Sequence, residues 1–114
     1  MPSNRTKAFR DLGDAYLQDA RNDALTPRSR AELAFDAIYM YAMCMLDESS
    51  FTPDHPHPDV LFGAAEKLGL APERMIPAVR HLHDRRRQLR HQEQLAEMTD
   101  LAGQLRELLH QWDD

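Results

Sequence analysis

Between Leu33 and Leu46 the chain reads LAFDAIYMYAMCML, with Asp36 its one charged residue. A helix that is apolar nearly all round is covered on several sides. The stretch therefore predicts a central helix, running from Pro27 to Asp47, with Ala34, Ala37, Ile38, Tyr41 and Met45 at the middle of the core. Thr26 suits its N-cap, because the hydroxyl accepts from a free backbone N–H, and Pro27 suits the first helical position, where no amide donor is needed. Before it, Phe9, Leu12, Tyr16 and Ala20 recur at three- and four-residue steps and predict a helix over Arg5 to Asp23. After it, Pro53, Pro56 and Pro58 make the stretch from Glu48 to Pro58 a non-helical loop. Val60, Leu61, Ala64, Ala65 and Leu68 give a third helix from Pro58 to Leu68, closed by Gly69. Met75, Val79, Leu82 and Leu89 mark a fourth from Pro72 to Glu97. Leu101, Leu105, Leu108, Leu109 and Trp112 mark a last one from Thr99 to Trp112, capped by Thr99 or Asp100 unless it continues the fourth. No sustained alternation of apolar and polar positions occurs, so no strand is predicted. The expectation is an all-α fold, a compact four- to five-helix up-and-down bundle forming a single domain over residues 1–114.

Composition agrees with one folded domain: 114 residues, 42% hydrophobic and 29% charged. With Cys44 the one cysteine, no intrachain disulfide forms and the disulfide-scaffold class is excluded. Cys44 lies within the apolar helix and reads as an inert core residue. Residues 1–9 are polar and lack the apolar stretch of a signal peptide. The longest apolar run, Ala37 to Leu46, is far short of the roughly 20 residues a membrane span needs. A cytoplasmic protein without membrane contact is expected. Three methionines of the central helix, Met40, Met43 and Met45, serve either as adaptable core filler or as partner surface.

Charge alters this picture. The net charge is −5, yet residues 74–91 carry six arginines against one acid, Asp84, so the window is +5 and the remainder −10. Such asymmetry implies an anion site or internal pairing with acidic helices.

Several strings in this order resemble the HEPN superfamily. They are AYLQDARNDALTPRSRAELAFDAIYMYAMCML (Ala15 to Leu46), the helix ending EKLGL (Glu66 to Leu70) and the arginine-rich HDRRRQLRH (His83 to His91). The resemblance covers residues 15–112. It implies a small helical domain, a homodimer with two copies of the motif at a shared cleft, and metal-independent cleavage of RNA, in the manner of a toxin held by an antitoxin or other protein partner. The family signature is an arginine followed by four to six residues and then histidine. Arg86 and His91 fit it with four residues between, and Arg85 fits with five. Arg87 stands where the signature usually has a polar residue such as Asn, which leaves the register open by one. On this reading Arg86 and His91 are catalytic, and Arg80, Arg87 and Arg90 bind RNA.

The chemistry of these residues is suitable. Histidine titrates near neutrality and can move the proton of an attacking 2′-OH, while arginine's fixed charge and forked donors suit a pentavalent phosphorus. On one continuous helix Arg80, Asp84, Arg87 and His91 share a stripe, which reads either as an RNA-facing surface or as a solvated face with Arg80–Asp84 and Asp84–Arg87 pairs. Asp36, in an otherwise apolar helix, is expected to pair with Arg86 or Arg87 and orient it, since an unpaired buried charge is costly. Glu32, one turn earlier, is a second candidate partner. No metal or other cofactor is expected: His55 and His57 lie in a loop without further ligands, and His81 and His83, two apart, point to different faces. No glycine-rich phosphate loop is present. The alternative function is a non-catalytic HEPN-like dimerisation or protein-interaction module.

Overall fold

The computed structural model describes residues 4–45, 57–84 and 91–112, and every regular element among them is helical. The helices are α1 (Asn4–Ala20), α2 (Pro27–Cys44), α3 (Pro58–Leu68), α4 (Ile76–Asp84) and α5 (His91–Trp112), with a 3-10 turn at Pro72–Met75 leading into α4.

The organising element is α2. Thr26 has extended backbone, and its Oγ1 accepts from the Ser29 N–H at 3.1 Å with Pro27 opening the helix. Its nine residues from Ala37 to Met45 are all buried, each large side chain contributing about 1.5–3 kcal/mol of transfer free energy. The helix closes at Met45, two residues before the expected Asp47, where the Met45 carbonyl accepts from Lys67 Nζ at 2.8 Å. Met40, Met43 and Met45 are all buried within the protomer. They are core filler, so the apolar excess of α2 supplies no argument for a dimer.

Pairs along the helices set the topology. Arg30 Nε donates to the Ala20 carbonyl beside the α1–α2 turn, and Cys44 Sγ meets the Thr6 carbonyl at the far end, so α1 and α2 are antiparallel. Arg21 lies against Gly103 while Asp14 meets Arg106 and His110, so α5 runs antiparallel to α1 and along α2. Lys67 ties α3 to the C-terminal end of α2, and His81 of α4 sits against Glu32 and Phe35 nearer its start. An all-α bundle built around α2 is the result.

The α1 stripe is rotated from the expected one. Gly13, Leu17 and Ala20 are buried, whereas Leu12 is 45% exposed. The pattern of apolar residues overlooked Gly13, whose missing side chain makes the seat for the Tyr41 ring. The helix ends at Ala20 rather than Asp23, and Asn22 Oδ1 accepts from the Ala24 N–H, the side-chain mimic of a turn. As expected, α3 ends at Gly69, in the left-handed region at φ 73°, which glycine adopts without a Cβ penalty.

The expected fourth helix, Pro72 to Glu97, is not one element. Pro77 has no N–H to bond the Glu73 carbonyl, and that carbonyl instead takes the Ile76 N–H, closing a 3-10 turn. Residues 91–97 belong to α5, which packs against α4. Segments of one straight helix separate by about 1.5 Å per residue and cannot pack side by side. Thr99 caps nothing: it lies inside α5 with its hydroxyl donating to the Leu95 carbonyl at 2.7 Å. Among the described residues no helix is long and apolar enough to cross a membrane.

Candidate functional site

Arg85, Arg86, Arg87 and Arg90 fall outside the described residues, as does the side chain of His91, which opens α5. The break between α4 and α5 corrects the single stripe predicted for Arg80, Asp84, Arg87 and His91, which required one continuous helix. Arg80 is exposed on α4, and Arg74 is exposed on the preceding 3-10 turn. Neither forms an ion pair with a described side chain. Asp36 is half-buried on α2.

One turn before Asp36, the Glu32 carboxylate lies 3.3 Å from His81 Nε2. That imidazole is only 1% exposed and tilts against the Phe35 ring, with centroids 5.1 Å apart. The acidic side of α2 is thus turned toward the helix that leads into the arginine run. His83 is exposed, so the two histidines do face different ways.

A second constellation lies between α1, α2 and α5. Its hub is Asp14, whose Oδ1 accepts from the Tyr41 hydroxyl at 2.6 Å and pairs with Arg106 Nε at 3.3 Å. Its Oδ2 stands 3.4 Å from His110 Nε2. Burial, then the bond to Asp14 and the charge of that carboxylate, drive the Tyr41 pKa far up, against an opposing pull from Arg106 and Arg21. Tyr41 therefore remains a neutral donor. The arrangement joins an arginine and a histidine one turn apart on α5 through a single carboxylate. Sequence reading missed it because the partners are remote in the chain. The available signal was the spacing of Arg106 and His110 on one face of a helix.

Other features are less suited to chemistry. His57 caps α3, its Nδ1 accepting from the Asp59 N–H and its own N–H donating to the Tyr39 hydroxyl. Burial raises the Tyr39 pKa, and the His57 bond lowers it in part. His55 lies outside the described residues, among which no group of three His, Cys, Asp or Glu side chains could hold a metal ion. Cys44 is buried, its Sγ 3.4 Å from the Met40 carbonyl, as expected of an inert thiol. An open cleft of about 530 Å³ lies between Glu73, Arg74 and Pro77 on one side and Glu97, Asp100 and Gln104 on the other. Small-molecule sites are mostly apolar and enclosed, and this cleft is neither.

No protein-family model matches the chain, and no curated protein or solved structure is significantly similar to it.

Proposed function

We propose that this chain is a HEPN-like helical domain that binds RNA through its arginine-rich segment, residues 74–91, and cleaves it without metal. The observation that carries the reading is the charge distribution. Residues 74–91 are +5 in a chain of −5, and Arg74 and Arg80, the two of these arginines that are described, are exposed and unpaired with described side chains. Arginines that only balanced acidic helices would be expected to contact them. His91, at the start of α5, would move the 2′-OH proton, and Arg86 would stabilise charge on the phosphorus. Asp36 would orient the arginine, and Arg80, Arg87 and Arg90 would hold the backbone of the RNA. The homodimer and an antitoxin-like protein partner follow from the same resemblance.

The test uses the whole chain with a labelled single-stranded RNA, in the presence of a chelator. Cleavage that persists in chelator and is abolished by His91→Ala, with helicity unchanged, is expected. Arg86→Ala should lower the rate with little loss of stability. Binding should weaken steeply with salt, as contacts to phosphate require. Cleavage unchanged in His91→Ala would overturn the site assignment.

The second reading, a non-catalytic dimerisation or protein-interaction module, is favoured by the exposed apolar side chains Leu12, Phe62 and Ile76. It predicts no cleavage of any RNA between pH 6 and 8, and loss of self-association on replacing those three residues by serine.

A further inference from the structure

We propose that Arg106 and His110, beside Asp14, form a phosphate-binding centre at the exposed edge of the α1–α5 seam, separate from the arginine-rich segment of residues 74–91.

The geometry begins with which atoms are used and which are not. His110 is 42% exposed, yet its Nε2 is a fully buried atom that stands 3.4 Å from Asp14 Oδ2 without making a hydrogen bond. The exposed part of the ring is therefore the edge that carries Nδ1. Arg106, 46% exposed, turns Nε toward the same carboxylate. Among the described residues, neither the terminal amino groups of Arg106 nor His110 Nδ1 makes a hydrogen bond. A carboxylate beside one edge of an imidazole attracts that edge when the ring carries a proton on both nitrogens, and leaves the other nitrogen to face a ligand. A guanidinium held through Nε likewise keeps its terminal donors outward, and these suit the oxygens of a phosphate.

Asp14 is itself restrained, because the buried Tyr41 hydroxyl bonds the same Oδ1 that Arg106 meets. The two outward groups thus stand beside a restrained carboxylate, at 3.3 and 3.4 Å, and they lie one turn apart on α5. Arg21, whose Nη2 lies against Gly103 one turn before Arg106, adds positive charge on the same side. Asp100 and Glu107 line the shallow cleft beside Arg21 and set the opposing charge. Two donors on a partly neutralised, open surface give weak binding, in the range of about 1 mM. The ligand class is a phosphate ester, either a free mononucleotide or a phosphodiester in RNA. The centre stands independently of cleavage at His91.

The experiment follows the His110 ring protons by NMR in the full chain, assigned by their loss in His110→Gln. Inorganic phosphate, a nucleoside monophosphate and a dinucleoside monophosphate are titrated separately at constant ionic strength. Saturable shifts at His110 are expected, with Arg106→Gln weakening the affinity by about tenfold and Arg106→Lys by less. Tighter binding of the dinucleoside than of the monophosphate identifies a phosphodiester, and the reverse identifies a free monoester. Unchanged melting of the variants shows that Asp14 still holds the helices. If melting falls, the same titration is repeated with Arg21→Gln, which is expected to weaken binding without unfolding the chain. Absence of saturable shifts with all three probes up to about 50 mM, well beyond a millimolar dissociation constant, would overturn the proposal. So would shifts that Arg106→Gln leaves undiminished. RNA cleavage lost in His91→Ala while phosphate still shifts His110 would separate the two sites.

Discussion

Gly13→Ala is a substitution that helix propensity alone would recommend. In an exposed helix interior, alanine stabilises by about 1 kcal/mol over glycine. Here a Cβ on Gly13 would stand 2.6 Å from Tyr41 Cε1 and 2.7 Å from Cδ1. Carbon atoms pack at about 3.5–4.0 Å, so the ring must retreat by about 1 Å. Tyr41 is fully buried and its hydroxyl is held 2.6 Å from Asp14, which leaves it little room. Overpacking of this kind costs about 1–3 kcal/mol. A ring that pivots away gives up a bond to a charged acceptor, about 1.5–3 kcal/mol. With both costs acting and the propensity gain subtracted, the net expectation is a loss of about 1.5–5 kcal/mol, or a fall in Tm of roughly 6–25 °C for a domain of this size. Thermal and urea denaturation of the purified variant provide the measurement. Gly103→Ala is the comparison: its Cβ would meet only the end of the Arg21 side chain, at 3.3 Å, and the variant should gain up to about 1 kcal/mol. In a Tyr41→Phe background, Gly13→Ala should cost less, because the ring is no longer anchored. A Gly13→Ala variant that melts higher than the parent, as Gly103→Ala should, would refute the reasoning.

Two further outcomes follow from buried polar groups. Burial raises the pKa of both Tyr39 and Tyr41, so the folded state resists their ionisation while the unfolded chain ionises near about pH 10. Their contribution is complete below that pH and is lost as pH rises beyond it. Ultraviolet titration should show these two phenols ionising together with unfolding, and a separate step in the folded state would contradict this. His81→Ala should lose about 2–4 kcal/mol through a cavity beside Phe35 and a weakened contact with Glu32, whereas His83→Ala at an exposed position should change stability by less than about 0.5 kcal/mol. Equal effects in chemical denaturation would place the two rings in similar surroundings.

Local chemistry was readable where one residue determines the backbone. Thr26-Pro27 and Gly69 mark ends of α2 and α3 because a cap, a fixed φ and a left-handed φ act within a few residues. The unbroken apolar run placed α2 at the centre for the same kind of reason. The separation of α4 from α5 was not readable, since Leu82 and Leu89 continue the apolar period along the sequence; Pro77, which withholds a donor from Glu73, signals only the 3-10 turn at the other end of α4. Leu12 was misplaced because periodicity counts apolar side chains, and the inward position next to it is a glycine. The Asp14 hub was hidden for another reason. Its partners at 41, 106 and 110 meet only once three helices have packed. The proposed arginine and histidine motif rests on the resemblance, and its residues 85–90 lie outside those described.

The position of α2 also has a consequence for biosynthesis. Its hairpin with α1 needs only a short turn, and such local pairing forms quickly. The helix that covers another side, α5, is encoded some fifty residues later, and synthesis proceeds at about 5–20 residues per second. For several seconds each nascent chain holds Ala37 to Met45 with one wall of its core missing. Aggregation during translation should therefore be most acute in the interval before α5 leaves the ribosome, and a pause placed there by rare codons should lower the soluble yield more than the same pause placed before α2.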